Sequence, residues 1–95
     1  MRIVLDPEAV DDLANIYSWI GKDSPRAAEA VITRIFDKVE RLLAPELMYM
    51  GRRGREHGTR ELIEAPYIIV YEIDETRDLI IVLSIVHGAR DRENN

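Results

Sequence analysis

The sequence predicts an α+β fold: an N-terminal strand, then an antiparallel helical hairpin packed on one face of a small antiparallel β-sheet. Three observations carry this reading. Two neighbouring runs of β-branched and aromatic residues, Pro66 to Ile73 and Leu79 to Val86, are separated by a short acidic and polar linker, the pattern of an antiparallel hairpin. Two helix-start signals, Asp6-Pro7 and Ser24-Pro25, precede stretches with apolar residues at helical spacing. Both strand runs are apolar on their two faces, so they belong in the centre of a sheet with cover on both sides.

Taken in order, Arg2 to Leu5 is a short strand. Asp6 is placed as N-cap, Pro7 suits the first helical position, and Glu8 and Asp11 lie near the positive end of the helix dipole. Val10, Leu13, Tyr17 and Ile20 form the predicted buried stripe, widened by Ala14 and Ile16, and Gly21 ends the helix. Trp19 falls off that stripe and is expected to cover an edge or to meet a partner. A second helix is predicted from about Arg26 to Leu43, with Ala28, Val31, Ile32, Ile35, Phe36, Val39 and Leu42 on its apolar face and Ala44-Pro45 after it. The short link between the helices makes them antiparallel. Residues 46–57 have no clear period. Gly51 and Gly54 there interleave with Arg52, Arg53 and Arg55, which reads as a solvated loop or as a recognition loop for carboxylate or phosphate groups. Arg60 to Glu64 is a strand, Ala65-Pro66 a tight connection, and Asp74 to Asp78 an exposed turn. Two helices cover one face of the sheet, so the other needs loops, a second copy or a partner.

Ninety-five residues make one domain, residues 1–95, with a core of modest size. There is no cysteine, which removes disulfides and thiolate metal sites. His57 and His87 are too few for a zinc site without carboxylate help, and no metal or cofactor is expected. No apolar run approaches a bilayer span, so a cytoplasmic protein is expected. The net charge is −5, yet Arg52 to Arg60 carries +3, leaving −8 on the remainder. An acidic body with one basic segment is a poor general binder of nucleic acid, which requires many phosphate contacts at once. Ser84 reads as a core hydroxyl. The one constellation with chemical potential is Arg60, His87 and Arg90, in which cations around an imidazole would stabilise a pentavalent phosphate. The competing reading has His87 closing the strand with a backbone hydrogen bond and Arg90 paired with an acid.

Several short motifs in this order resemble the RelE/ParE superfamily of toxins from type II toxin–antitoxin modules. They are Asp12-Leu13, Ser24-Pro25-Arg26-Ala27-Ala28, Gly58-Thr59-Arg60-Glu61-Leu62, Pro66 to Tyr71, and Val86-His87-Gly88-Ala89-Arg90-Asp91, and the likeness covers nearly the whole chain. The resemblance implies an α+β toxin that halts growth and is neutralised by a cognate antitoxin, commonly a DNA-binding dimer whose C-terminal segment wraps the toxin. The toxin itself is then not expected to bind a DNA sequence directly. RelE-like members are ribosome-dependent messenger RNA endonucleases, typically basic, with a catalytic tyrosine or histidine near the C-terminus. ParE-like members inhibit DNA gyrase. This chain is acidic, has no lysine after Lys38 and no aromatic residue after Tyr71. It is therefore read as ParE-like, a protein-binding inhibitor of gyrase in preference to an enzyme. Arg52, Arg53, Arg55, Arg60 and Arg90 are the candidate target-binding residues; Trp19, Tyr67 and Tyr71 are the candidate antitoxin contacts. The alternatives are an endonuclease using Arg60, His87 and Arg90, and an antitoxin-binding corepressor without toxicity.

Overall fold

The computed structural model of the protein describes residues 1–88. The elements are β1 (Arg2–Leu5), α1 (Pro7–Gly21), α2 (Pro25–Glu40), β2 (Arg52–Arg53), β3 (Arg60–Glu64), β4 (Tyr67–Asp74) and β5 (Leu79–His87), with 3-10 turns at Arg41–Leu43 and Pro45–Leu47. The five strands lie in the order β1-β5-β4-β3-β2. All neighbours are antiparallel except β1, which runs parallel to β5. The hairpin of β4 and β5 therefore holds the centre of the sheet, as its doubly apolar sequence requires.

Both helix starts lie where the sequence puts them, and they work differently. The Ser24 Oγ accepts the Ala27 N–H at 3.1 Å, the expected cap, with Pro25 following. The Asp6 side chain makes no such bond. Its backbone N–H still donates to the Val82 C=O at 2.9 Å, so Asp6 remains tied to the sheet while its own C=O accepts the first helical N–H, from Val10. The buried side of α1 is turned from the predicted stripe: Ala9 and Leu13 are buried and Ile16 and Ile20 half-buried, whereas Val10 and Tyr17 are 49% and 42% exposed. Ala9, with no side chain beyond Cβ and no exposed surface, lets the helix lie close against the sheet. On α2 the predicted face holds except for Phe36, which is exposed.

Alternate residues of the strands meet the helices. Tyr67, Ile69, Tyr71 and Ile73 of β4 lie beside His87, Ile85, Val82 and Ile80 of β5, and all of these but His87 join Ala9, Leu13, Ile35, Val39 and Leu42 in one core. A register shift between Val70 and Tyr71 lets β5 carry one additional residue, so both halves of that strand keep their apolar residues toward the helices. On the opposite face, Arg55, Glu56 and Thr59 of the β2–β3 connection line one concavity with Val70, Leu83, Ser84 and Val86. That loop supplies part of the cover the second face needs. Ser84 is half-buried there, not enclosed, and its hydroxyl has no hydrogen-bond partner among the described residues.

Candidate functional site

The site grows from a mismatch in strand length. β1 pairs only with residues 79 to 82 of β5, so the outer edge of β5 from Leu83 to His87 is left without a strand. α1 crosses beside it, and the Asp12 carboxylate accepts the Ile85 N–H at 2.8 Å, satisfying one of the open edge groups. Between α1 and this edge runs a groove of about 330 Å³. Its apolar lining is Ile16, Ile20 and Ile85, and Asp12 and Asn15 add polar atoms. At one end Tyr67 and His87 meet edge to face, with ring centroids 5.7 Å apart. The His87 Nδ1 is buried and has no hydrogen-bond partner. Trp19 stands on the lining, 64% exposed, with the Lys22 ammonium 5.2 Å from its ring centroid. An exposed indole beside an apolar trough with a few polar groups is suited to holding a partner's side chains.

A second polar cluster sits four residues further along β4, and it is closed. Tyr71 is fully buried; its hydroxyl donates to the Met48 C=O at 3.1 Å and accepts the Gly51 N–H at 3.1 Å. Arg60 donates from one Nη to the carbonyls of Gly51 at 2.7 Å and Tyr49 at 3.1 Å, and its guanidinium lies 4.9 Å from the Tyr49 ring centroid. The Tyr49 hydroxyl in turn donates to the Glu75 carboxylate. Arg52 binds the buried Glu61 carboxylate through Nε at 3.0 Å and Nη2 at 2.9 Å. Burial pushes the Tyr71 phenol pKa up, against the pull of the Gly51 N–H and the Arg60 charge. The hydrogen bond to Glu75 raises that of Tyr49.

These two clusters sort the predicted site residues. Trp19 and Tyr67 line one groove, as antitoxin contacts would have to; Tyr71 does not reach the surface, and its assignment as a contact is corrected to a core tie. Arg60 and Arg52 are engaged by backbone carbonyls and Glu61, while Arg53 and Arg55 are exposed on the β2–β3 hairpin. Arg90 lies outside the described residues. Arg60 pairs with Tyr71 and His87 with Tyr67, so the strand register sets them four residues apart along β4 and two strands apart across it. At about 3.3 Å per residue and 4.8 Å per strand, their backbones are roughly 16 Å apart. The predicted union of Arg60 with His87 is not formed. In the sequence Asp12 stands out only within the family-like pair Asp12-Leu13, Tyr49 reads as a packing residue and Gly51 as a turn glycine among arginines; their bonds to Ile85, Glu75 and Tyr71 leave no signal there.

A five-stranded sheet covered on one face by a helical hairpin is the α+β architecture of the ParE/RelE toxin folds. The comparisons with known proteins agree. The family model described as the ParE toxin of the type II toxin-antitoxin system, parDE, matches residues 3–92, and the chain belongs to that family. A curated protein of Sinorhizobium fredii named "Putative toxin Y4kP" is 40% identical over 89 residues, covering 92% of this chain and 88% of that protein. Among solved structures, a chromosomal ParDE toxin–antitoxin system from P. aeruginosa superposes with a TM-score of 0.79 at 23% identity, covering 92% of this chain and 95% of the other. The RelBE2 toxin–antitoxin complex from Mycobacterium tuberculosis gives a TM-score of 0.57 at 25% identity over 90% and 95% of the two chains.

Proposed function

We propose that this ParE-family toxin arrests growth by binding DNA gyrase in the cytoplasm, and that a cognate antitoxin neutralises it by laying a segment into the groove between Trp19 and Tyr67. The observation that carries the first part is the separation of Arg60 from His87, with Arg60 spent on the carbonyls of Gly51 and Tyr49. A phosphate-cleaving site needs its cations and its proton carrier within hydrogen-bond reach of one group. The acidic body points the same way, toward a protein target. Contact with the target centres on the exposed Arg53 and Arg55 of the hairpin, with Arg52 and Arg60 holding that hairpin in place. The second part is supported by the groove itself, an open strand edge beside an exposed indole, and by the toxin–antitoxin complexes among the structural relatives.

The test is a gyrase supercoiling assay and an in vitro translation assay on one preparation of the chain. The expected result is loss of supercoiling with translation intact, and unchanged inhibition by the His87→Ala variant. Intact supercoiling with cut messenger would move the protein to the ribosome-dependent endonucleases, and loss of both effects with antitoxin binding retained would make it a corepressor.

A further inference from the structure

The other edge of the sheet is open as well. β2 covers β3 only at Arg60 and Glu61, because the chain leaves β3 at Gly51, drawn away by the bond from the Gly51 N–H to the Tyr71 hydroxyl. Met50, which the register would place opposite Ile63, gives its N–H to the Leu47 C=O at 2.9 Å instead. Residues of an antiparallel strand turn their N–H and C=O alternately to one side and the other. Gly54 N–H donates to Thr59 C=O, and Arg52 faces Glu61, so Ile63 is the next residue turned outward. Its N–H and C=O meet no strand among the described residues.

Sheets usually blunt such an edge with a charge, a proline or a bulge. Here the edge residue is a β-branched apolar side chain, 41% exposed, with Met50, 39% exposed, beside it. A groove of about 350 Å³ follows the edge, and its charged rim is basic: Lys38, Arg41 and Arg52 against Glu61 alone. Glu61 is already matched by Arg52, and Lys38 is shared with Glu64 at 3.7 Å. Arg41 has no ion pair among the described residues. A cationic strand edge on a chain of net charge −5 is a local exception, and it selects for the opposite sign.

We infer that the β3 edge at Ile63 is a second docking site, which accepts an extended acidic segment of a partner protein as an added strand. Backbone pairing at Ile63 supplies register; alternate side chains of the guest meet the Lys38 and Arg41 cations on one side and Ile63 on the other. The inference does not rest on gyrase being the target, and it concerns a different edge from the groove at Trp19.

The probe is a blocked six-residue peptide alternating glutamate and valine, titrated into the isotope-labelled full chain. Saturable shifts centred on Ile63 and slowed exchange of its amide are expected. Arg41→Glu and Ile63→Lys, both on exposed side chains and checked for unchanged circular dichroism, should weaken binding by about tenfold or more. N-methylation of the peptide's backbone amides should abolish it. Equal binding of a lysine–valine peptide, equal binding of the N-methylated peptide, shifts centred on Ile85 and His87, or no saturable binding would each overturn the inference. So would protection of Ile63 that grows with the concentration of the chain alone, since the edge would then belong to a second copy.

Discussion

Tyr67 and Tyr71 lie four residues apart on one face of β4, and their surroundings are opposite. Tyr71 is enclosed, with its hydroxyl holding two backbone groups of the segment that leads into β2. Tyr67 opens onto the groove below Trp19 and touches a histidine whose Nδ1 has no partner. One end of the strand is a closed knot that fixes the arginine hairpin. The other retains unmet polar groups and exposed aromatic surface. Full satisfaction marks residues that build the scaffold, and its absence marks surface kept for a partner.

Substitutions that open the knot should cost the most stability. A Cβ on Gly51 would lie 2.6 Å from the Tyr71 hydroxyl oxygen and 2.9 Å from the Glu61 carbonyl oxygen, and the latter is backbone in the sheet. Gly51→Ala should therefore lose about 3 kcal/mol in denaturant unfolding, the upper range for overpacking. Tyr71→Phe keeps the ring and strands the Gly51 N–H and Met48 C=O, for a loss of about 2 kcal/mol. The same residue predicts a pH effect. Its phenol pKa is raised in the folded state above its ordinary 10.0, so the folded protein holds this proton more tightly than the unfolded chain. That contribution is complete below pH 10, the unfolded value, and is lost as pH rises through the folded value; the Tyr71→Phe variant should lack this alkaline decline.

At the groove the expected losses are smaller. Asp12→Ala frees the Ile85 N–H on the edge and should cost about 1.5 kcal/mol, with faster exchange at that amide than in the parent chain. Trp19→Ala should change stability by less than about 0.5 kcal/mol, as exposed substitutions do. Its effect belongs in binding, where loss of the indole should weaken the antitoxin complex by about 2 kcal/mol, measured by calorimetry. A destabilised but antitoxin-tight Trp19→Ala protein would erase the distinction between the two ends.

The fold was largely legible because its signals are local and periodic: two strand runs with a polar turn between them, and two proline-marked helix starts. The rotation of α1 was not. Val10 and Tyr17 are larger and more apolar than Ala9, so the residues alone favour them for the interior; the close approach to the sheet favours the small side chain. Trp19 stood out because it falls off the helical stripe and Tyr67 because it is an aromatic residue of the strand run, and both line the groove beside α1. Tyr71 was grouped with them because alternation cannot tell an enclosed end of a strand from an open one. The arginines show the same limit. Arg52, Arg53, Arg55 and Arg60 are equivalent in sequence, and only the course of residues 48–53 decides that Arg60 is held by carbonyls while Arg53 faces solvent. His87 and Arg60 were brought together on residue chemistry, and the strand register places them at different ends.

The most direct test is to express the Trp19→Ala and Tyr67→Ala chains with and without the cognate antitoxin and to follow growth. Arrest that persists in the variants and is no longer relieved by the antitoxin is the predicted result, since the groove would serve neutralisation and the arginine hairpin toxicity. Variants that no longer arrest growth, yet still bind the antitoxin as tightly as the parent chain, would contradict that division.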